Sequence, residues 1–340
     1  MVRAAITPFA SRSVDDPRRI VGVPPPSTPL IVVNPIAGNG RAHGLAPRIE
    51  AWLAAHGRTA RLMETRERGH AERLAAAAGD LGHDRVVVVG GDGTIQEVVN
   101  GLLTAARAPG DGVPAMGLVP GGSGNDLVRD LSLPLDPMAA LTIALGDETR
   151  RIDVARAAGD DGRVRHFAVA GGVGFDARVA HVMFGHRMPW QRGQAGYFLS
   201  TFIELLRFRN QRLTLNLDTP DGDVTVERLS LLVAFANGPY YGGGMQICPG
   251  AQIADGYLDV CVAGDLSRLE ALRLLPGIYK GAHVGHPKVE FLRARTIRFA
   301  GDDGTLVHLD GEPFGSIPLT VEVQPAALDV AVGDSGRVGA

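Results

Sequence analysis

The chain has 340 residues, 45% of them hydrophobic and 21% charged, with a formal net charge of −3. That length allows two domains of ordinary size, and the composition is that of a globular protein rather than a fibrous or disordered one. The charge excludes whole-molecule attraction to nucleic acid, and no uninterrupted apolar run approaches the roughly 18 residues of a membrane span.

Residues 1–29 carry six prolines among scattered charges and lack the apolar centre of a secretory signal, so they read as a disordered arm. From 30 to 149 the pattern is strand, loop, helix, repeated. Leu30 to Val33 reads as a strand, Leu45 to His56 as a helix, Arg58 to Met63 as a strand and His70 to Leu81 as a helix. Val86 to Val89 places four β-branched residues in a row, the mark of a strand buried on both faces. A helix over Thr94 to Ala106 and a strand over Met116 to Val119 follow. This alternation predicts a doubly wound, mostly parallel α/β sheet with ligands at the carboxyl ends of its strands.

Beyond Arg150, short strand-forming segments such as LTLNLD and LLVAFANG predict an antiparallel, sandwich-like β domain over 150–325. Its last strand is expected around Ile317 to Val323, with 326–340 as a mobile tail. Within this region His181 to Arg212 sets Met183, Phe184, Met188, Trp190, Tyr197 and Phe202 against five arginines. Such a stretch either lies on an anionic bilayer or packs its apolar face inward. Cys248 and Cys261 match no zinc spacing and read as reduced thiols of a cytoplasmic protein.

Three glycine-rich loops follow strands of the first region: Asn34 to Gly40 (NPIAGNG), Gly90 to Thr94 (GGDGT) and Pro120 to Asp126 (PGGSGND). Small residues let backbone N–H groups approach an anion, and a helix N-terminus favours negative charge. Asp92 suits such a place only if it holds a cation or a proton. The combination points to phosphate chemistry with a metal. The plain alternative is turn geometry, with Thr94 and Asp126 as helix caps. Much later, Asp310 and Glu312 flank Gly311 in HLDGE. They are either acidic turn residues or a general base for a hydroxyl nucleophile.

The order NPxxG, GGDGT, PxGSxND and DGE, spread from about Pro29 to Gln324, resembles the diacylglycerol kinase catalytic family, which includes sphingosine, ceramide and bacterial lipid kinases. GGDGT alone also occurs in NAD kinases and phosphofructokinases. The resemblance implies ATP in a cleft between the two domains, with Asn34, Gly38, Thr65, Gly90, Gly91, Asp92, Gly93, Thr94, Gly122, Ser123 and Asn125 toward the nucleotide. It implies Glu312, or Asp310 beside it, as the base for the lipid hydroxyl, while Asp92 and Asp126 help place magnesium. Ser123 stands where the family most often has threonine, so the hydroxyl survives. The segment from Cys248 to Asp259 resembles one that holds a structural magnesium in bacterial members, through Asp255 and the carbonyls of Gln252 and Tyr257. An Asp-Gly turn would look the same. Ala168 to Asp176, rich in glycine, is a candidate for accommodating the acceptor or its acyl chain.

The implied activity is ATP- and magnesium-dependent transfer of the γ-phosphate to diacylglycerol or a similar lipid alcohol. The alternatives are a sphingoid base, phosphatidylglycerol or a soluble polyol as acceptor, or a non-catalytic nucleotide-binding regulator. The expected partner is a lipid at the inner face of a membrane, reached by peripheral contact, with a homodimer as the assembly to test and no nucleic acid.

Overall fold

The computed structural model describes residues 28–105, 112–185 and 194–333. The first region runs β1 (Leu30–Val33), α1 (Leu45–Ala55), β2 (Arg61–Glu64), α2 (His70–Ala78), β3 (Arg85–Gly90), α3 (Asp92–Ala105), β4 (Ala115–Pro120), α4 (Asp126–Asp130) and α5 (Pro137–Ala144). Its strands are parallel, in the order β2, β1, β3, β4. Because successive side chains on a strand point to opposite faces, Val86 and Val88 meet one set of helices and Val87 and Val89 the other. The first pair packs with Leu74 of α2 and Val98 and Leu102 of α3. The second packs with Ile49 and Leu53 of α1 and Leu141 of α5. Both faces are therefore dry, which is why the run shows no alternation.

The second region contains β5 (Thr149–Gly159), β6 (Val164–Phe167), β7 (Ala170–Gly174), α6 (Phe175–Gly185), α7 (Gln194–Arg207), β8 (Gln211–Thr219), β9 (Gly222–Ser230) and β10 (Leu232–Ala236). It continues with β11 (Tyr240–Tyr241), β12 (Met245–Gln246), β13 (Leu258–Ala263), α8 (Arg268–Leu274), β14 (Val289–Ala294), β15 (Thr296–Gly301), β16 (Leu306–Leu309), β17 (Glu312–Ser316) and β18 (Leu319–Ala331). One sheet, ordered β14, β13, β10, β7, β16, β17, is antiparallel throughout. It encloses a core with β5, β8, β15 and β18, centred on Phe167, Phe235, Phe299 and Val321. Phe235 meets Phe167 and Phe299 with ring centroids 5.6 and 5.3 Å apart. Each buried ring contributes roughly 1.5–3 kcal/mol.

The sandwich expected from the sequence is present, but three of the expected boundaries along the chain move. Residues 326–331 are not tail: β18 continues to Ala331, with Ala327, Leu328, Val330 and Ala331 buried. An irregularity between Gln324 and Leu328, where Ala326 takes φ 50°, breaks the alternation that would mark one long strand. The boundary at 149/150 is not a break between sheets. β5 crosses it, and β18 pairs with both β5 and β4, so a single ten-stranded sheet spans both regions. The last two residues of the arm, Thr28 and Pro29, are tied down, their carbonyls accepting from His83 Nδ1 (2.7 Å) and Arg61 N–H (2.9 Å). Residues 1–27 and 334–340 lie outside the described residues, as do Met188 and Trp190. Among the described residues, no helix is long and apolar enough to cross a membrane. Cys248 and Cys261 are free and buried, and burial pushes the Cys261 thiol up to about 12.

Candidate active site

Adjacent parallel strands bring the three glycine loops to one edge. Gly121 N–H donates to the Gly90 carbonyl at 2.7 Å. Asn34 Nδ2 donates to Thr94 Oγ1 at 2.9 Å, while its Oδ1 accepts from Ile36 N–H at 3.2 Å. Thr94 therefore anchors the first loop rather than capping α3, whose first residue is Asp92. Gly38 has φ 59°, and a Cβ there would stand 2.3 Å from the Gly121 carbonyl oxygen. Only glycine allows that conformation and that approach. Arg41 closes the ring of loops, donating to the Gly38 carbonyl (3.0 Å) and to Ser123 Oγ (3.3 Å). Thr65 follows β2 at the same edge, its N–H donating to the Val33 carbonyl at 2.8 Å.

The carboxylates are held by backbone amides. Asp92 accepts from Asn125 N–H (2.9 Å) and Asp126 N–H (2.8 Å), so it caps α4 from across the cleft. Asn125, at φ 55°, folds back to accept from Gly122 N–H at 3.1 Å. Asp126 does not cap its own helix; its oxygens accept from Gly243 and Gly244 N–H at 2.9 and 2.8 Å. Asp130, one turn along the same face of α4, accepts from Tyr240 N–H at 3.1 Å. Its Oδ2 is buried with no hydrogen-bond partner among the described residues. Burial raises all of these acids. Asp92 goes up, and Asp126 reaches about 6 with the charge of Asp92 adding. Asp130 reaches about 8, with Asp126, Asp310 and Asp92 adding. Acids that resist sharing negative charge in this way hold protons unless a cation lies beside them.

The turn between β16 and β17 divides its two acids. Asp310, at φ 47°, accepts from Ala168, Val169 and Ala170 N–H at 3.2, 3.2 and 3.0 Å. Its carboxylate pins the turn to the start of β7, and burial raises it to about 7. Glu312 faces α3 instead: a Cβ on Gly93 would stand 3.3 Å from its Oε1. Its Oε2 takes Arg68 Nη2 at 2.5 Å and Arg165 Nη1 at 3.1 Å. Arg165 also reaches Gln96 Oε1 (3.2 Å), and Gln96 Nε2 donates to the Leu309 carbonyl (2.9 Å). Burial outweighs the two guanidiniums and leaves Glu312 raised.

The segment expected to hold a structural magnesium has other partners. Asp255 accepts from Tyr257 N–H at 3.1 Å and pairs with Arg293, whose Nε is 3.9 Å from Asp259. The Tyr257 ring lies under Arg293 and Arg295. A guanidinium thus sits against the carboxylate from which the sequence expectation built a magnesium site with the Gln252 and Tyr257 carbonyls. Sequence reasoning missed Arg68, Arg165, Gln96 and Asp130. Only Asp130 left a local signal, its spacing of four from Asp126.

Comparison with known proteins agrees with this architecture. Residues 28–157 match the diacylglycerol kinase catalytic domain model, and residues 169–332 match the YegS C-terminal NAD kinase beta sandwich-like domain. A diacylglycerol kinase of Mycobacterium tuberculosis (strain H37Rv) is 35% identical over 312 residues, covering 88% of this chain and 93% of the relative. A diacylglycerol kinase of Staphylococcus haemolyticus is 26% identical over 290 residues, covering 85% and 83%. The crystal structure of a Bacillus anthracis diacylglycerol kinase superposes with a TM-score of 0.67 at 23% identity, covering 92% of this chain and 98% of that one, and speaks for the fold alone.

Proposed function

The chain belongs to the diacylglycerol kinase catalytic family and is a phosphotransferase acting on an alcohol, and we propose that it moves the γ-phosphate of ATP to the hydroxyl of diacylglycerol or a similar lipid alcohol. The observation that carries this reading is the approach of Glu312 to Gly93, which sets a carboxylate beside the first turn of α3 where three glycine loops meet. Residues 30–149 would bind the nucleotide, and those from 150 onward the acceptor.

Loop amides and the N-terminus of α3 favour the phosphates, with Asn34, Arg41 and Ser123 holding the loops in register. Glu312 takes the acceptor's proton as the acceptor oxygen bonds to the γ-phosphorus and the bond to the ADP oxygen breaks. Asp310 positions Glu312 through the turn, and Arg165 and Arg68 orient its carboxylate. Magnesium keeps several waters and needs only one or two carboxylates besides phosphate oxygens. Asp92 and Asp126 would be the carboxylates nearest such an ion, and it would neutralise charge on the phosphates. A lipid acceptor requires peripheral contact with a bilayer, on the side that supplies ATP.

The test is transfer from labelled ATP, with magnesium, to diacylglycerol in mixed micelles, with sphingoid base, phosphatidylglycerol and glycerol as comparison acceptors. Labelled phosphatidic acid that disappears with Glu312→Gln, while ATP binding persists, is the expected result. ATP binding by the wild type without transfer to any of the four would overturn the reading.

A further inference from the structure

Between Leu199 and Leu206, α7 buries three polar side chains beside Leu205 and turns three apolar ones outward. Ser200, Thr201 and Glu204 are buried, whereas Leu199, Phe202 and Leu206 are 50%, 40% and 47% exposed. Spacings of three and seven put those three apolar side chains on one face of the helix. An ordinary surface helix turns its apolar stripe to the core and its polar residues to water; between 199 and 206 this helix does much of the reverse. Ser200 Oγ is even buried without a hydrogen-bond partner among the described residues.

The charge at the C-terminal end of α7, next to this face, has one sign in excess. At the C-terminal end of α7 a cavity of about 580 Å³ is lined by Arg178, Arg207 and Arg209, with Glu204 and Asp302 opposing them. Arg178 and Arg207 share the single carboxylate of Glu204, at 3.0 and 3.7 Å. Asp302 is engaged by the Arg212 N–H at 2.8 Å. Arg209 has no acidic partner among the described residues. The neighbouring α6 packs on α7 and ends near Phe184, which is 40% exposed. The Arg68 guanidinium lies 4.4 Å from the centre of that ring and also holds Glu312.

We propose that the outward face of α7 docks on an anionic lipid bilayer, with Leu199, Phe202 and Leu206 in the headgroup–acyl boundary and Arg178, Arg207 and Arg209 on lipid phosphates. This rests on the lipid kinase reading and adds the surface that delivers the acceptor. The strip from 199 to 206 is about 10 Å long. Three side chains on it fall well short of the roughly 1,200 Å² that a stable dimer buries. Shallow insertion of an apolar strip with basic flanks needs no more than this. Arg68, touching both Phe184 and Glu312, connects the end of α6, the helix packed on α7, to the base.

The experiment is co-sedimentation of the full chain, without ATP, with vesicles of phosphatidylcholine and phosphatidylglycerol. The variants are Phe202→Gln/Leu206→Gln and Arg207→Gln/Arg209→Gln. Each is expected to weaken vesicle binding roughly tenfold or more. Transfer to diacylglycerol in vesicles should fall in parallel, while transfer to a soluble short-chain diacylglycerol is retained. Retention there also shows that the variants fold. Unchanged vesicle binding in the Phe202→Gln/Leu206→Gln protein overturns the proposal, as does a wild type that does not bind vesicles. A wild-type dimer that this variant converts to monomer would make the face a protein interface and also overturns it. Because sedimentation needs no catalysis, a kinase that ignores vesicles sinks the docking alone, and a vesicle-bound protein without transfer sinks the kinase reading alone.

Discussion

Gly93 and Glu312 face each other so closely that a methyl group on Gly93 would stand 3.3 Å from the Glu312 carboxylate. The first turn of α3 and the turn between β16 and β17 therefore share one space, and the absent side chain keeps the carboxylate accessible. Gly93→Ala should improve helix propensity by up to about 1 kcal/mol, so thermal unfolding should move little or upward. Displacement of Glu312 should still lower kcat by roughly ten- to a hundredfold. Loss of activity together with a large fall in melting temperature would mean that Gly93 serves folding instead.

The two acids of the turn should separate cleanly. Glu312→Gln is expected to lower kcat by about 10²–10⁴ with little change in stability. Asp310→Asn replaces one of the two oxygens that accept from three backbone amides with an NH2 donor, leaving at least one of those amides unpaired, and should cost roughly 1–3 kcal/mol of stability. Chemical denaturation beside steady-state kinetics reads both. The opposite pattern would exchange the two roles.

His308 holds the same turn from behind. Gly311 N–H donates to its Nδ1 at 3.3 Å, which leaves the ring proton on Nε2, 3.2 Å from Asp176 Oδ2. His308→Ala should therefore lower kcat by about tenfold while leaving the KM for ATP unchanged. A change confined to the KM for ATP would place His308 in nucleotide binding instead.

Stability should fall as pH rises. Burial raises Asp126 to about 6, Asp310 to about 7 and Asp130 to about 8, each from an ordinary value of 3.8. The folded chain then holds more protons than the unfolded chain between those limits. Their contribution is complete below about pH 4 and is lost as pH climbs through about 6 to 8. Asp130→Asn should flatten the upper part of that decline and raise the melting temperature at pH 9, by about 2–4 °C per kcal/mol at this size. A variant equally destabilised at pH 5 and pH 9 would contradict this account.

Much of the nucleotide half was legible along the chain. A run of four valines and a glycine loop after each of three strands are local facts, because β-branched crowding and glycine's φ freedom act on single residues. Those signals placed β1, β3 and β4 to within two residues of their ends, and with them the loops. The acid turn was legible as a turn, but not the division of labour within it.

Sequence by itself determined the α/β and sandwich regions, the three loops and the family, since each rests on neighbours in the chain. Tertiary structure decided that Asp310 tethers and Glu312 stays available, because their partners Ala170 and Arg68 lie 140 and 244 residues away. It also set Arg293 against Asp255 and carried β18 back into the first sheet. The outward apolar face of α7 belongs to the same class: a helix has the same composition whichever side it turns outward, and only packing chooses the side.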